Sequence, residues 1–206
     1  MTKIGILGLS ARKEARETLD GMAKSAGVRR DRMRNYFYEN DSGFRFVFMP
    51  NLEIRPYEAL FQPGVAICHE PMAAQLQRLR EEAGSLNRRP KKDLTPNGFV
   101  HLFGLRLRKN TSFDEVSPLL EALREEFGFF LDQRETYSAI DGPAPLLAYL
   151  KKTTALYGPS GLLIEMFLDR FLLNKTDFIQ KYESRELAPM HRQYFEAFVR
   201  KYEQDA

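Results

Sequence analysis

The chain has 206 residues with a formal net charge of +3, and hydrophobic residues make up 43% of it. This balance is that of an ordinary globular protein, long enough for one substantial core or two small domains. A single cysteine, Cys68, excludes an internal disulfide framework and fits a reducing compartment. The sequence contains no apolar run of signal-peptide or membrane-spanning length. We therefore expect a soluble cytoplasmic protein with no membrane partner.

The first residues allow two interpretations. Lys3–Leu9 is apolar and is consistent with either a buried strand or the start of a helix. Ser10 is a suitable N-cap for a helix over residues 11–18. Gly5 and Gly8 are not followed by the third glycine of the dinucleotide-binding fingerprint. The sequence therefore favours no nucleotide cofactor at this end of the chain.

Residues 18–38 carry the clearest functional pattern. Gly27 separates two short stretches with the same helical spacing of small or apolar residues. The residues on these two faces are Met22, Ala23, Ala26, Met33, Tyr36 and Phe37. Two helices that cross closely need a small residue at the crossing and a residue able to take positive φ at the turn, and Ala23 and Gly27 meet these needs. This spacing predicts a helix-turn-helix.

The order Thr-Leu-x-x-Met-Ala-x-x-Ala-Gly-Val, then four residues, then Met-x-x-Tyr-Phe, resembles the helix-turn-helix of bacterial TetR-type regulators. The lambda-repressor-like and LacI types are similar over the first half. The resemblance is confined to residues 18–38 and implies a second helix that lies in the DNA major groove. It implies packing roles for Ala23, Gly27, Val28 and Met33. It also implies a homodimer on a palindromic operator, with DNA as the partner and a small-molecule effector as a further possibility.

The candidate DNA-binding residues lie on or near this second helix. They are Arg29, Arg30, Arg32, Arg34, Asn35 and Tyr36. Independently of any family, four arginines within residues 29–34 suit contacts to phosphates and guanine edges, and asparagine can read adenine. The competing interpretation is an amphipathic helix pair with a solvated arginine face.

A β-hairpin is predicted over the adjoining residues. Two aromatic runs, Tyr36–Tyr38 and Phe44–Phe48, flank the turn sequence Asn-Asp-Ser-Gly at 40–43. A hairpin directly after a recognition helix would resemble the wing of a winged helix. However, Tyr36–Tyr38 cannot be both helix and strand, and the sequence leaves this choice open. If these residues form a strand, the second motif helix is too short to read DNA.

The middle of the chain reads as alternating short elements. Residues 64–68 are a buried strand or a helix entry, and Pro71 opens a helix to Glu82. Residues 99–107 are a strand, or two strand halves around Gly104. Residues 86–98, rich in Arg, Lys, Pro and Asn, are predicted to be a basic linker or long loop. This segment is either simply solvated or a flexible phosphate-contacting segment that reinforces DNA binding.

Helices dominate the second half. Their predicted starts or ranges are Ser117-Pro118 to Gly128, 145–157, 160–174, Thr176 onwards and Pro189 onwards. Residues 160–174 are apolar almost all round, which is typical of a core or a dimer interface. Glu165 and Asp169 stand at i, i+4 and could bind a metal or act in acid–base chemistry, or form a narrow solvent stripe with surface ion pairs.

Catalytic and metal-binding patterns are weak. Cys68-His69-Glu70 is the only adjacent trio of reactive residue types, and neighbours on a strand point to opposite faces. His69, His101 and His191 have no metal-ligand spacing, and His101 is expected to be a core histidine. We therefore expect no metal and no cofactor, and a non-enzymatic protein is favoured over an enzyme.

The sequence as a whole predicts a helix-rich α+β protein, with an all-α fold as the alternative. Residues 1–85 would form a DNA-binding region, 86–98 a basic linker, and 99–206 a helical core for dimerisation or effector binding. The predicted function is sequence-specific DNA binding, as a transcription regulator or a plasmid or phage replication or maintenance protein. Two alternatives are an α+β enzyme acting on nucleotides or nucleic acid, with Lys3–Leu9 as a strand, and a non-catalytic protein that assembles through its apolar helix.

Overall fold

The computed structural model describes residues 6–32, 34–55, 57–83, 101–106, 111–153 and 159–204. Over these ranges the chain is a helix-rich α+β protein, which confirms the predicted class and excludes the all-α alternative. The helices are α1 (Ile6–Ala26), α2 (Glu70–Glu82), α3 (Val116–Asp132), α4 (Arg134–Ser138), α5 (Pro143–Lys152), α6 (Pro159–Leu172), α7 (Lys175–Glu183) and α8 (Pro189–Gln204). The strands are β1 (Arg29–Arg30), β2 (Tyr36–Glu39), β3 (Arg45–Met49), β4 (Leu52–Ile54), β5 (Ala59–Phe61), β6 (Gly64–Cys68), β7 (His101–Arg106) and β8 (Thr111–Phe113).

Helix α1 is continuous, whereas the sequence predicts two helices in succession. Gly21 lies inside the helix, near its C-terminal end, and is exposed, so it weakens the helix only through its low propensity. The buried face carries mostly small residues at i, i+4 spacing: Ala11, Ala15, Leu19 and Ala23. These small side chains allow α1 to pack closely against α3. Residues 6–9 belong to this helix, so the strand on which the enzyme alternative relied is not formed there.

The helix-turn-helix predicted at residues 18–38 is wrong in its second half. Gly27 takes the expected positive φ, +68°, but it leads into β1 and not into a second helix. In the described residues from 29 to 38 the chain forms β1, a turn and the start of β2. Tyr36–Tyr38 is therefore strand. Aromatic residues favour strands, and pairing of β2 with β3 buries Tyr36 as part of a sheet.

The larger sheet, sheet A, has the order β1-β2-β3-β6-β7, and every neighbouring pair is antiparallel. The hairpin predicted around residues 40–43 is confirmed: it is formed by β2 and β3, with Tyr36 opposite Phe48 and Glu39 opposite Arg45. Alternate residues point to opposite faces. The main core takes Tyr36, Phe46, Phe48, Val65 and Ile67. The other face carries a small separate cluster formed by Val47, Ala66 and Cys68.

Helices α3 and α4 cover the inner face of sheet A through aromatic contacts. The ring of Phe127 lies 5.1 Å from that of Tyr36 and 5.0 Å from that of Phe48, centroid to centroid. Tyr137 stacks on Phe46 at 4.1 Å, with the ring planes 9° apart. These contacts make the sheet and the helices one continuous core.

A second sheet, sheet B, has the order β4-β5-β8 and is antiparallel throughout. Its strands come from distant parts of the sequence, because β8 follows the long stretch that contains α2 and β7. It packs beside α1 through β4 and beside α3 through β8. This sheet is not predicted from the sequence, since each of its strands has only three residues.

Helices α5 to α8 complete the second half and agree with the predicted helices, although several bounds differ. Helix α3 runs through Gly128 to Asp132, and its N-cap is Glu115 and not Ser117. Asn174, and not Thr176, caps α7, because its side chain accepts a hydrogen bond from the Asp177 N–H at 2.9 Å.

The apolar helix α6 is buried by α5, α7 and α8 of the same chain. Of the large apolar residues of α6 whose burial is described, only Phe171 and Leu172 are strongly exposed, so most of its apolar surface is covered within this chain.

Some predictions fall on residues outside those described. These are the start of Lys3–Leu9, the basic linker at 86–98, the ends of the strand predicted at 99–107, the core role of His101 and the last turn of the helix predicted at 145–157. Among the described helices, none is both long enough and apolar enough to cross a bilayer.

Candidate nucleic-acid interface

The six residues predicted to contact DNA lie on a second hairpin, formed by β1 and β2 and called here the β1–β2 hairpin. Arg29 and Arg30 form β1, Arg32 and Arg34 lie in the connecting loop, and Asn35 and Tyr36 lead into β2. The strands pair Arg29 with Phe37 and Arg30 with Tyr36. The structure thus brings these residues together, but on the β1–β2 hairpin at the edge of the five-stranded sheet A rather than on a helix.

The end of α1 directs the chain into this hairpin. Because Gly27 adopts positive φ, its N–H donates to the Lys24 carbonyl at 3.3 Å and the Val28 N–H donates to the Ala23 carbonyl at 2.9 Å. These bonds satisfy carbonyls that the helix end leaves without partners. The chain reverses here, and β1 packs against α1.

Asp31 and Asn35 close the loop of the hairpin. The Asn35 N–H and side-chain amide each donate to the Asp31 carboxylate at 2.9 Å, and the Asp31 N–H donates to the Asn35 carbonyl at 2.9 Å. Arg34 takes a positive φ of +66°, which the tight loop requires. Asn35 is only 8% exposed and its amide is engaged, so it does not face solvent as a base-reading residue would. Its predicted role in reading adenine is corrected to loop closure.

Tyr36 is likewise a structural residue. It is 1% exposed, and its ring packs on Phe127 in the core. Its hydroxyl donates to the Asp20 carboxylate of α1 at 2.8 Å. Burial raises the pKa of Tyr36 above its ordinary value, and the adjacent Asp20 carboxylate raises it further. A direct contact between Tyr36 and DNA is therefore not compatible with this fold.

Asp20 fixes the hairpin to α1. Its carboxylate accepts hydrogen bonds from Tyr36 on β2 and from the Arg30 guanidinium on β1, with one Arg30 bond at 2.6 Å. Arg16, one turn earlier on α1, lies 3.6 Å from the same carboxylate. Burial raises the pKa of Asp20, but the hydrogen bonds from Tyr36 and Arg30 outweigh burial and hold that pKa below its usual value. Asp20 therefore stays ionised and compensates much of the charge of Arg30.

Arg29 is held on the opposite face of the ribbon. Its guanidinium lies 4.8 Å from the centre of the Phe37 ring and 2.8 Å from a Glu39 oxygen. Arg45 of β3 pairs with the other Glu39 oxygen at 3.0 Å and also lies over Phe37, at 5.3 Å. Two arginines therefore share one carboxylate and one ring.

The two loop arginines are the cations of the hairpin whose side chains have no partner in the described part of the chain. Arg32 and Arg34 are both exposed, and neither side chain makes a hydrogen bond or ion pair there, although the backbone N–H of Arg34 donates to the Asp31 carbonyl at 3.2 Å. The six predicted residues thus fall into three groups: two at the tip that are available, two in β1 that are ion-paired, and two that are buried. The sequence did not reveal the partners Asp20 and Glu39, because their proximity depends on the strand pairing and on the packing of α1.

The reactive trio at the end of β6 does not form a catalytic pair. Cys68 is buried in the small cluster of sheet A, and burial raises the pKa of its thiol to about 12. His69 stacks on Phe44, with 4.3 Å between ring centroids, and its Nδ1 accepts the Met72 N–H at 3.4 Å as the N-cap of α2. A thiol that stays protonated and a histidine engaged as a cap leave no nucleophile–base arrangement here.

The carboxylates of α6 are also engaged within the fold. Asp169 is buried and accepts hydrogen bonds from Lys181 and the Tyr182 hydroxyl, both on α7. Glu165 pairs with Lys181 at 3.2 Å and with Arg185 at 3.7 Å. Burial raises the pKa of Tyr182, and the Asp169 carboxylate raises it further. This network joins two helices, and no group of side chains suited to hold a metal is found among the described residues.

Comparison with known proteins adds no family to this geometry. No protein-family model, no curated protein and no solved structure matches the chain.

Proposed function

We propose that this protein binds DNA through the β1–β2 hairpin, with Arg32 and Arg34 as its leading contacts. The observation that carries the proposal is that both arginines are exposed at the tip of the ribbon without an acidic partner in the described chain. An uncompensated guanidinium can bind a phosphate or the edge of a guanine. The DNA major groove is wide enough to admit a two-stranded β-ribbon, so a recognition helix is not required.

The surroundings of the tip support a polyanionic partner. Arg29 and Arg45 together face a single carboxylate, Glu39, and Arg16 and Arg30 together face Asp20. In both groups the arginines outnumber the carboxylate that they contact in common. Lys24 is exposed in the last turn of α1, close in sequence to the glycine that starts the hairpin. Such a positive surface attracts nucleic acid through phosphate neutralisation and release of counterions.

The test is a double substitution at the tip. We expect Arg32→Ala/Arg34→Ala to weaken binding to duplex DNA about tenfold, and to reduce the salt slope of the affinity by about one unit for each phosphate that the variant no longer neutralises. Fluorescence anisotropy with a labelled duplex at two salt concentrations measures both quantities. The proposal fails if the parent protein does not bind DNA at low salt, or if the variant binds as the parent does.

A charge-matched control separates a local contact from a change in net charge. Arg78 on α2 and Arg200 on α8 are exposed, and α2 packs beside α8 and β7, at the opposite edge of sheet A from the hairpin. Arg78→Ala/Arg200→Ala removes the same charge as the tip variant. It should leave affinity close to that of the parent, because screening limits long-range effects at ordinary salt.

Sequence specificity, a homodimer and an effector remain predictions. Specificity was expected from a recognition helix carrying Asn35, and the hairpin instead offers two arginines as free contacts. We propose that phosphate contacts supply most of the affinity, with any base reading confined to guanine edges at the tip. Selection of bound duplexes from a random pool tests this: enrichment of a guanine-containing motif supports base reading, and a flat distribution limits the hairpin to phosphates.

A further inference from the structure

A cleft of about 590 Å³ lies at one end of sheet B, separate in sequence from the hairpin. Its described lining is formed by Arg55, Tyr57, Glu58, Ser112 and Asp114. The first three belong to the turn between β4 and β5, which is closed by a 2.8 Å hydrogen bond from the Arg55 N–H to the Glu58 carbonyl. The other two lie in and just after β8. The cleft thus unites two segments that the strand pairing of sheet B holds together.

Glu58 is fixed as an anion at the wall of this cleft. One of its oxygens accepts from the Arg55 guanidinium at 2.9 Å and the other accepts from the Ser112 hydroxyl. The Ser112 hydrogen bond, followed by the Arg55 contacts, holds the pKa of Glu58 below its usual value. Arg55 is itself shared with Glu53 at 2.9 Å, so its charge is compensated.

Asp114 brings a second carboxylate to the same place. Strand β8 pairs Phe113 with Ala59, and continuing that register places Asp114 opposite Glu58. Both side chains line the cleft, but only that of Glu58 is engaged, by Arg55 and Ser112. Asp114 is exposed and makes no hydrogen bond or ion pair in the described chain. Asp114 is therefore the carboxylate of the cleft that is available to a cation.

Tyr57 supplies an aromatic surface beside the carboxylates. Its side chain is 68% exposed at the tip of the β4–β5 turn, while most aromatic rings of the described chain are buried. A tyrosine ring face attracts cations, and a planar guanidinium can stack on the ring while it binds a carboxylate. An exposed ring next to an unpaired carboxylate therefore favours a planar cation over a spherical one.

We propose that this cleft is a binding site for a guanidinium group, which stacks on Tyr57 and pairs with Asp114. Glu58 contributes negative charge, and its hydrogen bonds keep the wall of the cleft in place. The group is that of a free arginine-like compound or of an arginine in a polypeptide. The proposed guanidinium site and the proposed DNA contact do not depend on each other.

The test is a titration of ¹⁵N-labelled protein with L-argininamide, followed by NMR. We expect saturable shifts of the backbone amides of Tyr57, Glu58 and residues 111–114, with millimolar affinity, since exposed contacts of this kind are weak. L-citrullinamide, which has the same shape without the charge, should bind at least about threefold more weakly. No saturable shift, or equal binding of the two compounds, would overturn the proposal.

An acetylated Gly-Arg-Gly amide distinguishes a free arginine-like ligand from an arginine in a polypeptide, because it should bind as well as argininamide only if the site takes an arginine within a chain.

Variants locate the site. Asp114→Asn and Tyr57→Ala should each weaken argininamide binding about threefold or more, whereas Tyr57→Phe keeps the ring face and should retain binding. Glu121→Gln on α3 removes an exposed carboxylate outside the cleft and should bind as the parent does. The ¹⁵N spectrum of each variant shows that it is folded. Unchanged affinity in both Asp114→Asn and Tyr57→Ala contradicts the proposed contacts.

Discussion

At the scale of single residues, Asp20 has the most consequences for the candidate interface. One carboxylate on α1 contacts both strands of the hairpin, through Arg30 and Tyr36. It also neutralises an arginine that would otherwise be a free DNA contact. The β1–β2 hairpin is therefore held at the edge of sheet A by the same interaction that reduces its charge. Within the described chain, the two loop arginines are left as the cations of the hairpin without an acidic partner.

Replacing Asp20 with asparagine should lower the free energy of unfolding by about 1 kcal/mol at neutral pH, because the variant cannot form the charge-assisted hydrogen bonds of this partly exposed site. The pKa of Asp20 is lower in the folded state than its usual value. Its stabilisation is therefore complete above the unfolded-state pKa, about 3.9, and is lost as the pH falls through the folded-state pKa. Urea unfolding at pH 7 and near pH 3 measures the effect, and the difference between parent and variant should shrink at the lower pH.

Glu17→Gln is the matched control for Asp20. Glu17 is on the same helix, is exposed and makes only a loose pair with Lys13 at 3.9 Å. Its replacement should leave stability almost unchanged. An equal loss in both variants would show that Asp20 acts only through the general charge of α1.

His69 gives a second prediction at this scale. Burial lowers its pKa, and the neutral Nδ1 is needed to accept the Met72 N–H at the start of α2. Because the folded-state pKa is the lower one, the unfolded chain binds more protons between the two values, and stability falls as the pH drops from about 6.5. His69→Asn retains a capping side chain without this titration. Urea unfolding between pH 7 and pH 5 should show a steeper loss in the parent than in the variant, and parallel curves would contradict the role of His69.

At the scale of elements, the end of α1 decides whether the chain continues into a second helix or into the β1–β2 hairpin. Gly27 at positive φ ends the helix, and β2 then pairs with β3 along four residue pairs. Gly21, only two turns earlier, has ordinary helical surroundings. Gly21 lies within α1 and Gly27 directly follows its last residue, so the two glycines have different roles and form a matched pair for mutation.

Gly27→Ala should destabilise the protein by about 1 kcal/mol, because a residue with a Cβ is strained at φ +68° although no atom lies within 4 Å of the added group. Gly21→Ala should stabilise it by about 0.5–1 kcal/mol, since alanine is the better helix former and the added group meets no atom within 4 Å. Thermal and urea unfolding of the two variants give the comparison. The same sign of change in both would mean that Gly27 does not act through its backbone conformation.

At the scale of the whole molecule, one core joins the N-terminal sheet to the C-terminal helices. Its buried residues extend from Ala11 on α1 to Phe198 on α8. Phe127 of α3 lies at the junction, in contact with Tyr36, Phe48 and Phe130. The position of the hairpin therefore depends on packing between parts of the chain that are far apart in sequence.

Phe127→Ala should lower the free energy of unfolding by about 3–5 kcal/mol, because it removes a fully buried ring from the contact between α3 and sheet A. Phe129→Ala, two residues further on the same helix, removes a ring that is 50% exposed and should cost less than about 1 kcal/mol. Urea unfolding of both variants measures the difference. Comparable losses would mean that Phe127 is not a main contact between the helix and the sheet.

The sequence by itself determined the features that depend on local periodicity and turn chemistry. It predicted the helix-rich α+β class, the hairpin around residues 40–43 and most C-terminal helices, and it left residues 64–68 as a strand or a helix entry. It also singled out the arginines at 29–34, which do lie together. Only the tertiary structure decided that these arginines stand on the β1–β2 hairpin, that Asn35 and Tyr36 are buried, and that Asp114 lines the same cleft as Glu58. The physical reason is that strand pairing and core burial join residues far apart in the chain, so they overrode a helical spacing that was locally acceptable.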